Sequence, residues 1–141
     1  EIKSLLSAKM IYAHEMGIDG TIDIPDHISC FFVDTVDLAR ILGIFLDNAV
    51  EAALETAHPE VGLNIIRNPD TVAVVISNSL QDSGLALHKL NRQGFTTKAG
   101  HQGIGLANAQ RLIRSYENIL WETTVQDGCF TQYMEIVRGK E

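Results

Sequence analysis

The chain contains little proline and cysteine and no long apolar run. With three prolines and 45% hydrophobic residues, its composition is typical of a folded domain rather than a disordered segment. The longest apolar runs, such as ILGIFL, are far shorter than the roughly 20 residues that span a bilayer, and no signal peptide opens the chain. The two cysteines, Cys30 and Cys129, lack metal-ligand spacing, so we expect buried reduced thiols rather than a disulfide.

Positive charge is also scarce. Eleven Lys and Arg residues oppose 18 Asp and Glu residues, which gives a formal net charge of -7. This balance disfavours binding to nucleic acid or anionic lipid through bulk electrostatics, so a phosphate-bearing ligand must be held by local contacts. The length of 141 residues fits one domain with a real core. Because the chain begins at Glu1 rather than methionine, we expect it to be part of a longer protein.

Apolar periodicity predicts three main helices alternating with short strands. The helices are predicted at residues 2–16, at 34–58 with Asp34 or Thr35 as the N-cap, and at about 104–116. Strands are predicted at 20–26 and 29–35, in a hairpin over 61–80, and in a C-terminal hairpin that turns at Asp127-Gly128. The weak apolar periodicity of residues 81–103 predicts a mobile loop with a short helix at 85–91. We therefore predict one α/β domain over residues 1–141, with helices on one face of a mostly antiparallel sheet.

The second predicted helix carries the most informative polar residue. At about 100° per residue its apolar side chains form one stripe, and Asn48 lies roughly 60° from Phe45, at the rim of that stripe. Two interpretations remain open. Asn48 is either an ordinary half-exposed amide or a ligand of Mg²⁺, which prefers hard oxygen donors and often takes only one or two from protein.

A glycine-rich stretch, GFTTKAGHQGIGLANAQRLI, precedes and opens the third helix. Gly103 and Gly105 flank Ile104 at the predicted helix start, where backbone N–H groups can approach an anion, and Lys98 and Thr97 lie upstream. A surface loop rich in glycine is the alternative. Neither a Walker-type P-loop nor a dinucleotide-binding G-x-G-x-x-G motif is present, so neither explains the stretch.

These segments resemble a known family. LGIFLDNAVEAA is similar to the N box, and FTTKAGHQGIGL to the lid and glycine box, of the GHKL superfamily of histidine kinases, gyrase-type ATPases and heat-shock ATPase chaperones. The combination with ISNSL and GIGLANAQRLI is most similar to peptide-pheromone receptor histidine kinases of the AgrC and ComD type. The resemblance implies a Bergerat-type ATP-binding fold, an α+β two-layer sandwich with a mixed, mostly antiparallel sheet and about three helices on one face.

The resemblance also implies roles for particular residues. Asn48 would coordinate a Mg²⁺ ion that bridges the ATP phosphates, and Asn78 would stand where many relatives have an Asp that binds the adenine amino group. Its neutral oxygen can still accept that hydrogen bond, more weakly. The remaining ATP-binding residues that the resemblance implies lie in the lid and the glycine box: Phe95, Thr97, Lys98, Gly103, Ile104, Gly105 and Leu106.

The reaction type depends on the residue one helical turn before Asn48. In the related ATPases that position is a Glu that activates water, but here it is Ile44, so phosphoryl transfer to a histidine is favoured over hydrolysis. We expect Asn48, Glu51 and Lys98 to take part in catalysis, although Glu51 is equally interpretable as a solvated carboxylate. A clamp ATPase and a degenerate module without nucleotide remain the alternatives. His14 resembles a phosphoacceptor superficially and is assigned no such role.

The resemblance finally implies a cellular context. The chain would be the cytoplasmic catalytic domain of a cell-membrane receptor, using ATP and Mg²⁺. Its partners would be the upstream dimerisation and phosphoacceptor domain of the same receptor and a response regulator, with no nucleic acid. The full-length protein would be a homodimer, and both a monomer and a dimer remain open for the fragment alone.

Overall fold

Three helices and a five-stranded sheet form the described part of the chain. The computed structural model describes residues 2–28, 30–81 and 101–139, the last range without the side chains of residues 101–104. The elements in chain order are α1 (Ile2–Glu15), β1 (Asp19–Asp23), α2 (Thr35–Ala53), β2 (Glu60–Arg67), β3 (Thr71–Ser79), α3 (His101–Arg114), β4 (Ile119–Gln126) and β5 (Cys129–Val137). Within these ranges no helix combines the length and hydropathy needed to cross a membrane.

The sheet is mixed, with strand order β1-β2-β3-β5-β4. β1 runs parallel to β2, whereas the β2–β3, β3–β5 and β4–β5 pairs are antiparallel. The predicted α/β class, with a mostly antiparallel sheet and three helices, is therefore confirmed.

Alternation along the strands places one face of the sheet against the helices. On β3 the side chains of Val72, Val74 and Ile76 are buried, and on β5 the same is true of Met134 and Ile136. Register pairs Val72 with Ile136 and Val74 with Met134, so these residues share one face. They join one hydrophobic cluster with residues of all three helices. The core therefore lies between the sheet and the helix layer.

α2 is the central helix of that layer. Asp34 caps it, because its carboxylate accepts hydrogen bonds from the N–H groups of Val36 at 2.8 Å and Asp37 at 3.1 Å. The predicted apolar stripe is buried, and Phe45 stacks on Trp121 of β4 with ring centroids 5.6 Å apart. Both the cap and the stripe agree with the sequence pattern.

The start of α2 is also tied to the end of α3. The Tyr116 hydroxyl donates to Asp37 at 2.6 Å and accepts from the Asp34 N–H at 3.2 Å. The hydrogen bond to Asp37, followed by burial, raises the pKa of Tyr116 above its ordinary value. The phenol therefore stays protonated, and able to donate to Asp37, up to a higher pH than an ordinary tyrosine.

The prediction of a strand at residues 29–35 is wrong. Of these residues the structure describes 30–35, and none of them is in a strand. Phe32 has a left-handed φ of 67°, which cannot continue a β-ladder. Tertiary contacts hold it there: Asn118 donates to its carbonyl oxygen at 3.0 Å, and the guanidinium groups of Arg67 and Arg138 lie 4.6 and 5.2 Å from its ring centroid. The segment is an irregular connection that packs through Phe32.

Other boundaries and the thiols also differ from expectation. α2 ends at Ala53 instead of reaching 58, since the Thr56 hydroxyl donates to the Ala53 carbonyl at 2.6 Å and the chain turns there. α3 begins at His101 rather than 104. Both cysteines are free, as predicted, but Cys30 is exposed and Cys129 half-buried rather than buried. The short helix predicted at 85–91 lies outside the described residues.

The N-cap of α2 can be tested by removing its acceptor. Asp34→Ala should lower the free energy of unfolding by about 1 kcal/mol, because two first-turn N–H groups lose their partner. Urea denaturation monitored by circular dichroism measures it. Asp23→Ala, which removes an exposed carboxylate at the end of β1, serves as the control and should change stability by less than about 0.5 kcal/mol. Equal losses in the two variants would contradict the cap.

Candidate functional site

Asn48 lies on α2 at the edge of its packed face. Phe45 and Ala49 beside it are 2% exposed, while Asn48 itself is half-buried. Among the described residues, no group hydrogen-bonds the Asn48 amide, so its oxygen is available as a ligand or an acceptor. The preceding residue, Asp47, forms an ion pair with Lys9 of α1 at 2.8 Å, which joins α1 to this part of α2. Asn48 is therefore held by a well-packed helix.

Glu51 follows Asn48 by three residues and lies on the same side of α2. Its side chain is half-buried, so it is less exposed to water than a fully solvated helix carboxylate would be. In the described ranges no three His, Cys, Asp or Glu side chains are grouped so that they could hold a metal ion. A divalent cation at this site would therefore depend on few protein ligands, which is how Mg²⁺ binds beside phosphates.

The glycine-containing helix packs directly on α2 near Asn48. A Cβ atom added to Gly105 of α3 would lie 3.5 Å from Cγ2 of Ile44, an ordinary van der Waals distance. Ile44 is one helical turn before Asn48. The structure therefore brings together the two segments that the sequence motifs single out. Leu106, the next residue, is 9% exposed and belongs to the core cluster.

The predicted position of the glycines relative to α3 needs correction. Because α3 begins at His101 rather than at about 104, Gly103 and Ile104 lie in its first turn and Gly105 in its second, so the two glycines do not flank the first residue of the helix. First-turn N–H groups still lack intrahelical acceptors, so the helix start can meet an anion. Gly105 lies beside Ile44, where an added Cβ atom would meet it at an ordinary distance. The lid residues Phe95, Thr97 and Lys98 lie outside the described residues, and their roles stay predictions.

Asn78 lies near the end of β3 on the helix-covered face. It is 3% exposed, and its amide nitrogen donates to the Ser79 carbonyl oxygen at 2.8 Å. That bond leaves the amide oxygen as an acceptor. An acceptor buried at a strand end fits the adenine-binding role that the sequence resemblance implies.

A small network missed from the sequence fastens this strand end to α2. The Ser79 hydroxyl accepts from the Glu60 N–H at 2.9 Å and contacts the Thr56 hydroxyl at 3.0 Å. The Thr56 hydroxyl in turn donates a hydrogen bond to the carbonyl oxygen of Ala53, the last residue of α2. The α2 end after Asn48 and the β3 end at Asn78 are thus held at the same end of the molecule.

His14 is placed in the last turn of α1 and is exposed. α1 itself is part of the core, since Leu6 and Ala13 are fully buried against the rest of the fold. α1 therefore contributes to the core, and the expectation that His14 is no phosphoacceptor stays a prediction.

The architecture matches solved catalytic domains of histidine kinases. The catalytic domain of histidine kinase ThkA in a nucleotide-free form superposes with a TM-score of 0.77 at 20% identity, over 97% of this chain and 90% of that one. The mycobacterial sensor histidine kinase MprB gives 0.70 at 13% identity, over 96% and 93% of the chains. Full-length ShkA in complex with AMPPNP gives 0.72 at 19% identity, and the match covers 96% of this chain but 28% of ShkA.

The sequence gives the family. A family model described as "GHKL domain" matches residues 33–137, which includes α2, the sheet from β2 onward and α3. The chain belongs to the GHKL domain family. No curated protein matches it by sequence.

Proposed function

We propose that the chain is the ATP-binding catalytic domain of a two-component sensor histidine kinase of the peptide-pheromone receptor type. The carrying observation is the position of Gly105 beside Ile44, because it sets the glycine-containing helix next to the part of α2 that carries Asn48. Asn78, buried at the adjacent end of β3, supplies a position for the base. Similarity to histidine kinase catalytic domains supports this choice within the family.

Asn48 fits a magnesium ion. It offers a neutral hard oxygen at a half-buried position, and no described residue competes for that oxygen. A neutral amide also avoids repelling a triphosphate, which an aspartate would do. Bound Mg²⁺ would offset the negative charge of the phosphates. Glu51, half-buried on the same side, is suited to orienting the Asn48 amide or a metal-bound water.

Ile44 favours phosphoryl transfer over hydrolysis. Its hydrocarbon side chain lies beside Gly105 and cannot accept a proton from water. A histidine nucleophile needs no such base, because its ring nitrogen already carries a lone pair. That lone pair forms the N–P bond while the bond from the γ-phosphorus to the bridging oxygen breaks and ADP leaves. The chain's contribution would be positioning and charge stabilisation, and Lys98, which lies outside the described residues, is the cation that the sequence resemblance offers for the phosphates.

The acceptor histidine would belong to an upstream dimerisation domain of the same receptor. The chain would then lie on the cytoplasmic side of the cell membrane in a homodimeric receptor for a quorum-sensing peptide, and a response regulator would take the phosphoryl group onward. The match to 28% of full-length ShkA supports a module joined to other domains.

The first test removes the proposed magnesium ligand. Asn48→Ala should weaken ATP binding at least about tenfold in the presence of Mg²⁺ and much less in its absence, because a metal contact is lost while few core contacts change. Titration calorimetry with and without Mg²⁺ measures both values. Asn64→Ala, an exposed amide on β2, is the matched control and should bind as the parent does. The same magnesium dependence in the Asn48 variant and the parent would remove Asn48 from the site.

The second test separates the structural and ligand-binding roles of Gly105. Gly105→Ala should keep or raise stability by up to about 1 kcal/mol, since alanine favours the helix and the new methyl meets Ile44 at an ordinary distance. ATP affinity should fall, because the methyl narrows the space between α3 and α2 beside Asn48. Gly43→Ala, on α2, is the control that should gain helix stability and bind ATP normally. Unchanged affinity in Gly105→Ala would contradict the ligand-binding role of Gly105.

The third test concerns the chain on its own. It should bind Mg-ATP without labelling itself, and adding the upstream helical domain should produce acid-labile phosphohistidine on that domain, because the acceptor is then held in line. Radiolabelled ATP followed by acid treatment measures both. Label on His14 would overturn the structural assignment of α1. Fast phosphate release without acceptor would favour a clamp ATPase, and absence of ATP binding would favour a degenerate module.

A further inference from the structure

Two amide side chains are the buried polar groups of the described residues. Asn78 on β3 is 3% exposed and Gln132 on β5 is 6% exposed. Burial removes an amide from water, so each donor and acceptor needs a partner or a function. Neither amide has a complete set of partners among the described residues. Gln132 has not been assigned a role by any sequence motif.

The two amides face the same space. Asn78 pairs with Phe130 and Ile76 pairs with Gln132, so Asn78 and Gln132 are diagonal neighbours on adjacent strands. Such neighbours have side chains of the same face about 7–8 Å apart, close enough to contact one small molecule together. That face is the one covered by α2.

α2 buries smaller side chains after Asn48 than before it. The half of the helix before Asn48 buries large side chains, Phe45 and Leu46 among them, whereas the turns after it bury Ala49, Val50 and Ala53. A flat aromatic ring can pack closely against a helix face of small side chains.

Gln132 is held in one orientation. The Trp121 indole N–H donates to its Oε1 at 2.6 Å, and an indole can only donate, so the atom facing Trp121 must be the oxygen. The indole is itself fixed by stacking on Phe45. Rotating the amide by 180° would place two donors against each other. Gln132 therefore presents its Nε2 hydrogens as donors.

Asn78 is held in the complementary orientation. Its Nδ2 donates to the Ser79 carbonyl at 2.8 Å, so a flip would set two oxygens against each other. Ser79 is anchored by its bond to the Glu60 N–H at 2.9 Å. Asn78 therefore presents an acceptor beside the donor of Gln132.

We propose that Gln132 is a base-specificity residue, whose Nε2 donates to N1 of adenine while Asn78 accepts from the exocyclic N6 amino group. The proposal rests on the ATP-binding function proposed above. Adenine presents a donor at N6 next to an acceptor at N1, which matches the locked acceptor–donor pair. Guanine presents an acceptor at O6 and a donor at N1, so both contacts would become repulsive, and neither amide can rotate to relieve them.

An atom-level substitution in the ligand tests this on the unaltered protein. 1-Deaza-ATP replaces N1 by a C–H group and keeps N6, so it should bind about tenfold more weakly than ATP, for loss of one buried hydrogen bond. Titration calorimetry or competition against a fluorescent ATP analogue measures the ratio. Equal affinities would overturn the role of Gln132. Absence of ATP binding altogether would instead reject the proposed function on which it rests.

Variants identify the residue responsible. Gln132→Met should bind ATP and 1-deaza-ATP equally, whereas Gln126→Met, the control at an exposed position of β4, should keep the tenfold ratio. Trp121→Phe keeps the stacked ring but removes the N–H that locks Gln132, so its preference for ATP over GTP should fall at least tenfold. If Gln132 were purely structural, the ratio of ATP to 1-deaza-ATP affinity in Gln132→Met and the ratio of ATP to GTP affinity in Trp121→Phe would both equal those of the parent. Such a result in folded variants, checked by circular dichroism, would overturn the proposal.

Discussion

The packing of α2 on the sheet is the interaction on which the rest of the structure depends. Phe45 lies at its centre, 2% exposed and stacked on Trp121, and fixes both the rotation of the helix and the ring of the indole. Rotation of α2 decides that Asn48 lies at the rim and that Ile44 meets Gly105. A single apolar contact thus orients Asn48 on α2 and, through Trp121, the Gln132 amide on β5.

Much of the fold follows from local patterns in the sequence. Apolar periodicity identifies the three helices. Alternating apolar and polar residues on both sides of the Asp127-Gly128 turn identify the last hairpin. Both features are set by residues that are close together in the sequence. The segment around Phe32 shows where such reasoning ends. Its apolar residues resemble a strand, yet its backbone is set by Arg67, Arg138 and Asn118, which are distant in sequence.

The site divides in the same way. Asn48 and the glycines belong to contiguous motifs, so the resemblance to GHKL domains singles them out from sequence alone. The family match bears out the family, and the roles of these residues stay predictions. Gln132 carries no motif. Its meaning depends on the register that sets it diagonally to Asn78 and on the bond from Trp121, neither of which a linear pattern contains. A polar residue at an inward position of an alternating strand is the one signal that singles it out.

The parallel pairing of β1 with β2 has a consequence for how the sheet is assembled. The β2–β3 and β4–β5 hairpins close through short turns, whereas β1 reaches β2 only after the whole of α2 and its flanking segments. Closing that long connection costs more chain entropy than closing either turn. β1 is therefore the strand whose attachment is most sensitive to the integrity of α2. Loss of helical order around Asn48 would therefore speed up amide hydrogen exchange in β1, at the edge of the sheet.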